Sequence, residues 1–323
     1  MKKVVVLGGG TGLSVLLKGL KLFPLETTAI VAVSDDGGSS GKLREEFNIP
    51  AIGDIRNVLV SLANEESLIE KLMQYRFKTT SDLNGHPIGN LILASLVDIT
   101  GNTTDAVKSL SKIMNLNGKI LPLTEEVPIL VAHTENGEVI EGETKIRERG
   151  KKIEKLEYKN VPKVVPQVIK EIENADLVIL GIGSLFTSLI PHLLIPEIKE
   201  ALKNTKAKKM YISNIMTEHG ETDGFKVSDC IKAINDYIGE NVIDVVVSNK
   251  EEIPKNIKER YKKEDNSEPL VIDEEEINKL NLKLIKKDFL KIIKMENKKG
   301  EINEIVRHDN LKIAFSIFSY LME

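Results

Sequence analysis

Tryptophan is absent from this 323-residue chain, and aromatic residues together make up only 4% of it. A core of ordinary size must then be built from Ile, Leu and Val, which suits parallel strands buried on both faces. There is a single cysteine, Cys230. No intrachain disulfide can form, and no cysteine cluster is available for zinc. The histidines, His86, His133, His192, His219 and His308, are scattered without H-E-x-x-H spacing, which removes that zinc motif. No apolar run approaches the roughly 18 residues needed to span a bilayer. Nor is one charge in large excess: 45 Lys and Arg stand against 49 Asp and Glu, which argues against nucleic acid as a partner. The pairs Lys151–Lys152, Lys262–Lys263, Lys286–Lys287 and Lys298–Lys299 each have acids nearby and read as solvated surface. The chain runs from Met1 straight into an apolar strand with no secretory leader, so a cytoplasmic protein is expected.

What is present reads as α/β. Residues 2–8 form a buried strand, Leu13, Leu16, Leu17 and Leu20 recur at helical spacing, and "TTAIVAVS" at 27–34 is a second buried strand. Strand, glycine turn, helix and strand make a βαβ unit. Helices are predicted over about 53–64, 67–77, 87–99 and 104–115, with Gly101 closing one and Thr103 and Thr104 capping the next. That reading also makes the sequon Asn102-Thr103-Thr104 a helix start. Alternation around Asn136-Gly137 signals a hairpin within a β-rich insertion placed at about 118–160. "ADLVILGIGS", "KKMYISNI" and "NVIDVVVSN" then resume the strands, with a helix over 225–238. A Lys/Glu-rich C-terminal module of short strands is placed at about 251–323. The length suits one α/β domain over residues 1–323, its elements sharing a doubly wound, mostly parallel, Rossmann-like sheet.

The chemistry-bearing stretch is Gly8-Gly9-Gly10-Thr11-Gly12-Leu13. Glycines permit a tight turn with positive φ and let backbone N–H groups approach a phosphate. The helix that follows adds unpaired N–H groups and a positive dipole end. Leu13 replaces the last glycine of G-x-G-x-x-G, which weakens a dinucleotide site, and the absence of G-K-[ST] opposes a P-loop. The second strand ends at Asp35 and Asp36, placed to bond a ribose or hold Mg²⁺. Ser39 and Ser40 follow in a glycine-rich loop. "GDIRN" brings Asp54, Arg56 and Asn57 to a helix start, where Arg56 can clamp a phosphate or Asp54 can simply cap a surface helix. His86 with Asn90 can line the same crevice. "GIGSLFTSLIP" puts Gly183, Ser184, Leu185 and Ser188 in a second turn after a strand, with a helix expected from about Thr187. It has the layout of a nucleophile elbow, but Phe186 stands where glycine is required and no His–Asp pair is positioned to complete a triad. Tyr261 can stack on a planar base or pack on its own helix. Arg307 can pair with a phosphate or an acid.

"VVVLGGGTGLSVLLKGLK", "VAVSDDGGSSGKLREEF", "GDIRNVLVSLA", "GNLILASL", "GIGSLFTSLIPHLLIPEI", "SNIMTEHGETDGF" and "VRHD" together, in this order along nearly the whole chain, resemble the bacterial YvcK proteins, also called gluconeogenesis factors. These are relatives of 2-phospho-L-lactate transferase (CofD). The resemblance implies a Rossmann-like fold and cytoplasmic proteins that bind UDP-sugars, notably UDP-N-acetylglucosamine. It implies a role in cell shape and wall synthesis on gluconeogenic carbon sources, with cell-wall or regulatory proteins and a further copy of the chain as partners. It carries Gly9, Gly10, Thr11, Gly12 and Leu13 over as a phosphate turn, Asp35, Asp36, Ser39 and Ser40 as an acidic-serine loop, and Gly183, Ser184, Leu185 and Ser188 as a second loop. It also favours Tyr261 and Arg307 as contacts of the uridine side. Two positions depart from the family pattern: His192 stands where Asn is usual, and Glu218-His219 replaces a Gln-containing pair, both expected beside the crevice. The leading expectation is a UDP-sugar-binding regulator that requires no cofactor. The alternatives are a transferase acting on a nucleotide-activated phospholactate and a deazaflavin, with Asp35 or Asp36 on Mg²⁺, and an NAD(P) oxidoreductase, which Leu13 disfavours.

Overall fold

The computed structural model describes residues 1–63, 68–296, 300 and 302–323. It opens with the expected βαβ unit: β1 (Lys2–Gly8), α1 (Gly10–Leu20) and β2 (Leu25–Val31). Then come α2 (Gly38–Phe47), α3 (Gly53–Leu62), α4 (Leu68–Gln74), α5 (Ile88–Thr100), α6 (Thr103–Ile113) and β3 (Lys119–Pro122). Strands β4 (Leu130–Thr134) and β5 (Val139–Glu141), helix α7 (Glu143–Arg149) and strand β6 (Ile153–Tyr158) form the next group. After α8 (Pro166–Glu173) and β7 (Leu177–Leu180), a π-helical turn (Leu185–Leu189) runs into α9 (Ile190–Leu193). The chain continues through α10 (Pro196–Asn204), β8 (Lys208–Ile212), α11 (Val227–Ile238) and β9 (Val245–Asn249). It closes with α12 (Lys255–Asp265), α13 (Glu274–Asn278), β10 (Lys283–Lys287), β11 (Leu290–Glu296), β12 (Ile302–His308) and α14 (Asn310–Met322).

Seven of these strands make one parallel sheet in the order β10-β9-β8-β7-β1-β2-β3. Strand order grows outward from β1 in one direction through β2 and β3. It then restarts beside β1 with β7 and grows the other way. The switch point therefore lies between β1 and β7, and the crevice beyond their carboxyl ends is where such sheets meet ligands. Val4–Leu7 of β1 and Leu177–Leu180 of β7 are buried on both faces, as the aliphatic composition requires.

The helices cover the sheet with the faces their periodicity dictates. Leu13, Leu16, Leu17 and Leu20 of α1 are fully buried, each contributing about 1.5–3 kcal/mol on leaving water. Helix α14 packs across α1 so closely that a Cβ on Gly19 would lie 2.0 Å from the carbonyl oxygen of Asn310. Gly101 ends α5 in the left-handed conformation (φ 83°), and Asn102 caps α6 by accepting the Asp105 N–H at 2.8 Å. The sequon is thus a helix cap, with Asn102 as the capping residue and Thr103 and Thr104, expected in that role, as the first residues of the helix. Lys152, Lys262 and Lys286 pair with Glu135, Glu268 and Glu274 on the surface, while Lys298–Lys299 lie outside the described residues.

The architecture differs from the sequence reading in three respects. The elements do not share one sheet: β5-β4-β6 and β11-β12 form separate antiparallel sheets. Residues 119–122, expected inside the insertion, are instead β3, paired with β2 at the edge of the main sheet. Likewise β10, expected in a separate C-terminal module, adds to the other edge through β9. Edge strands of four or five residues carry too little pattern to show which sheet they join. The insertion proper is the three-stranded sheet with the Asn136-Gly137 turn and helix α7, which the alternation concealed. It is fastened to the β2–α2 loop. The Thr144 N–H donates to Asp36 Oδ1 at 2.8 Å, and buried Arg44 donates to the carbonyls of Ser34, at 2.8 Å, and Pro128.

Candidate functional site

Two turns meet at the switch point. The first, Gly8–Gly12, links β1 to α1, and Gly10 takes a positive φ of 65° with open space around it. The second, Gly181–Ser184, follows β7. They touch: a Cβ on Gly12 would fall 2.8 Å from the Ile182 backbone, so only glycine lets α1 start this close. Asn214, just beyond β8, donates to the Gly183 carbonyl at 2.9 Å and fixes the second turn from its far side.

Above them opens a cavity of about 630 Å³. Gly9, Gly10, Thr11, Gly12, Asp35, Gly183, Ser184, Ser188, Tyr261 and Arg307 line it, as do Glu218 and His219. These predicted residues come from both ends of the sequence and converge here. Tyr261 stands on α12. Its hydroxyl accepts the Val306 N–H at 3.0 Å and its ring carries the Arg260 guanidinium at 4.6 Å. Arg307 is on β12, with Nη1 on the Val306 carbonyl at 2.9 Å.

Other predicted residues lie elsewhere. Leu13 and Leu185 are core side chains, 0% and 2% exposed. The face of α1 that continues the phosphate turn must pack on the sheet, so Leu13 points inward. Asp36 turns away from the cavity to hold Thr144 of the insertion. Ser40 is buried against Gly53. Ser39, Arg56, Asn57 and Asn90 are absent from the cavity wall and gather beside His86: Ser39 Oγ is 2.9 Å from His86 Nδ1 and accepts from Asn90 Nδ2 at 3.0 Å. His192 is corrected as well. It is fully buried between the carbonyls of Leu189 and Ile30, and burial pushes its pKa down to about 4. The expected helix from Thr187 begins earlier, as the π-helical turn from Leu185.

Sequence reasoning saw Asp54 only as a helix cap and Glu218 only as a neighbour of the crevice, and it missed Glu143, Arg147 and Glu221 altogether. Asp54 accepts the Gly10 N–H at 2.5 Å, occupying a donor of the first turn. Glu218 does the same to Ser184 Oγ at 2.6 Å in the second. Helix α7 contributes Glu143 and Arg147 at i, i+4 spacing, and β12 contributes His308. Glu221, buried behind the wall, accepts the Phe186 N–H at 2.8 Å and the Thr187 hydroxyl at 2.7 Å. Only the carboxylate and arginine types were visible in advance. Nothing in "ETKIRER" says that it folds over the carboxyl end of β1.

The electrostatics are mixed. Burial, then the field of Asp35, raises the pKa values of Asp54 and Glu143, although the Gly10 N–H partly offsets this at Asp54. Arg147 and Arg307 face this acidic floor from the insertion and from β12. Asp35, Asp54 and Glu143 are each tied to the protein by a hydrogen bond: Asp54 to Gly10, Glu143 to the Ser34 hydroxyl and Asp35 to the Gly37 N–H. Among the described residues no three such side chains converge as metal ligands.

The family described as 2-phospho-L-lactate transferase CofD matches residues 4–290. A gluconeogenesis factor of Halalkalibacterium halodurans is 43% identical over 98% of this chain and 95% of its own. A gluconeogenesis factor of Bacillus subtilis is 44% identical over 99% of this chain and 98% of its own. A crystal structure from Bacillus halodurans, of a UPF0052 family member, superimposes with a TM-score of 0.91 at 42% identity, covering 98% of this chain and 99% of that one. With the same switch-point sheet and this extent of identity, the chain belongs to the CofD family and, within it, to the gluconeogenesis factors.

Proposed function

We propose that the switch-point cavity binds a UDP-sugar, with UDP-N-acetylglucosamine as the first candidate. In this reading the protein reports the supply of that cell-wall precursor to regulatory or wall-synthesis partners in the cytoplasm. The observation that carries the proposal is the pair of abutting glycine turns after β1 and β7 in the wall of a cavity that Tyr261 and Arg307 also line. The diphosphate lies over Gly9–Gly12 and Gly183–Ser184, where backbone N–H groups and the start of α1 favour negative charge. Arg147 and Arg307 balance it from opposite walls. Phosphate oxygens take the places that Asp54 and Glu218 hold on Gly10 and Ser184. Burial already raises the pKa of Asp54, which makes its protonation beside a phosphate less costly than for an ordinary carboxyl. The uracil stacks on Tyr261.

Calorimetric titration with UDP-N-acetylglucosamine, with and without Mg²⁺ and with NAD and GDP as controls, tests the reading. Micromolar, UDP-selective binding with the ligand recovered intact is expected. Gly10→Asp should abolish it without unfolding the chain, since the position has open space and Asp is among the side chains that tolerate a φ of 65°, while the new carboxylate repels the diphosphate. Unchanged affinity in that variant would refute the placement. The acidic floor beside the glycine turn favours a second reading, Mg²⁺-dependent group transfer of the phospholactate type. Consumption of a nucleotide-linked ligand would move the assignment there.

A further inference from the structure

The residues that the fold separates from the main cavity form a constellation of their own. Helices α2, α3 and α5 all begin near it. Ser39 is in the first turn of α2, Arg56 in the first turn of α3 and Asn90 in the first turn of α5, with His86 just before α5. Ser39 joins His86 and Asn90 by hydrogen bonds. Arg56 packs against the same helix start: a Cβ on Gly89 would lie 2.9 Å from Arg56 Cδ. Ser39 is half-buried and Gly38 beside it is exposed with open space around it, so the group has a mouth to solvent.

Two polar atoms in this group lack partners. Asn90 is 1% exposed and Arg56 7% exposed, yet Asn90 Oδ1 and Arg56 Nε make no hydrogen bond. Arg56 donates from Nη2 to Asn57 Oδ1 at 2.7 Å, but the acid whose field it feels, Asp54, is committed to Gly10. Its close charged neighbour is another cation, Arg76, held on the Gly85 carbonyl at 2.6 Å. A buried guanidinium facing a second cation with no carboxylate on it is costly, and each unmade buried hydrogen bond costs about 1–3 kcal/mol. An anion at this point would remove both penalties.

We propose that Ser39, Arg56, His86 and Asn90 form a second anion site, separate from the switch-point cavity, that takes a monohydrogen phosphate or phosphomonoester. The donor and acceptor pattern selects this class. Arg56 needs an acceptor and Asn90 Oδ1 needs a donor. Monohydrogen phosphate keeps one O–H and supplies both, as does a phosphomonoester in its singly protonated form (second pKa about 6), whereas sulfate supplies acceptors alone. The two sites share the loop that runs from Asp35, on the cavity wall, to Ser39, so occupancy of one can be felt at the other. The proposal does not rest on the identity of the ligand in the main cavity.

The test uses the full chain with ¹⁵N-labelled histidine, the five histidine signals being assigned by single His→Gln variants. Titration with inorganic phosphate should shift the His86 signal saturably, with sulfate at least about tenfold weaker, the loss expected for one hydrogen bond to a charged group. Methyl phosphate separates the two sources: a response equal to or stronger than that of phosphate marks an ester site, and a weaker one marks a site for the free ion. Arg56→Gln, and Asn90→Asp should Arg56→Gln not fold, should weaken the response by about tenfold or more. Gly10→Asp should leave it in place, which separates this result from failure of the UDP-sugar reading. A His86 signal that does not move, or a shift confined to His219 and His308 of the main cavity, would overturn the proposal. So would sulfate matching phosphate.

Discussion

At the scale of single residues, the site depends on groups whose surroundings set their charge. Glu221 ties the second turn to the loop after β8, and burial reinforced by Glu218 pushes its pKa up to about 7 from 4.5. The folded protein then keeps this proton until about pH 7, while the unfolded chain loses it near 4.5. In that window the folded state binds more protons, so the Glu221 contribution to stability falls as pH rises. Urea unfolding across the window should show that Glu221→Gln removes this fall, so the variant gains on wild type toward neutral pH. A parallel pH dependence of the two proteins would show that the side chain is ionised throughout. The residue types at the turns were legible beforehand because glycine and serine carry their chemistry locally. The bonds that Asp54, Glu218 and Glu221 make at these turns were not, because each reaches across a loop from another element.

At the scale of elements, the unexpected piece is α7. It is seven residues long and would not hold by itself in water. It is kept in place by Asp36, which accepts the Thr144 N–H in its first turn. Asp36→Ala should therefore cost about 0.5–2 kcal/mol, the range for losing a helix-start acceptor. Amide exchange should rise in 143–149 while β1 and β7 stay protected. Because α7 carries Glu143 and Arg147 into the cavity, UDP-sugar affinity should fall with it; unchanged exchange in α7 would show that the latch is not needed. The long helices and central strands were readable because their periodicity extends over ten residues or more, or their apolar runs sit between glycine turns. Strands β3 and β10 were not assigned to the main sheet, since four or five residues show extended backbone and leave the neighbour open.

At the scale of the whole molecule, the first and last helices lock together. Gly19 in α1 meets the backbone of Asn310, and Ile313, Ala314 and Ile317 of α14 are fully buried. Alanine inside a helix ordinarily stabilises by about 1 kcal/mol over glycine. Here its methyl would sit 2.0 Å from a backbone oxygen that can yield only if α14 shifts, and overpacking of this kind costs about 1–3 kcal/mol. The second effect should win, so Gly19→Ala should lower the urea midpoint without changing the slope. A raised midpoint would mean that α14 adjusts freely.

The βαβ start, the aliphatic doubly wound class, the glycine turns and the family were readable from the residues alone. All of these rest on local periodicity, on backbone freedom at particular residues, or on motifs that recur in order. Which polar residues share a cavity was settled by the packing of the folded chain. Asp35 and Asp36 are neighbours in the chain, yet one faces the cavity and the other fastens the insertion. Arg56 and Arg307 were both phosphate candidates, and the fold put one in a buried cluster and the other on the cavity wall. The reason is that a sequence specifies which groups a segment carries and, through its period, which face they share. How far that face lies from another segment's is set by the packing of helices and strands that are distant along the chain.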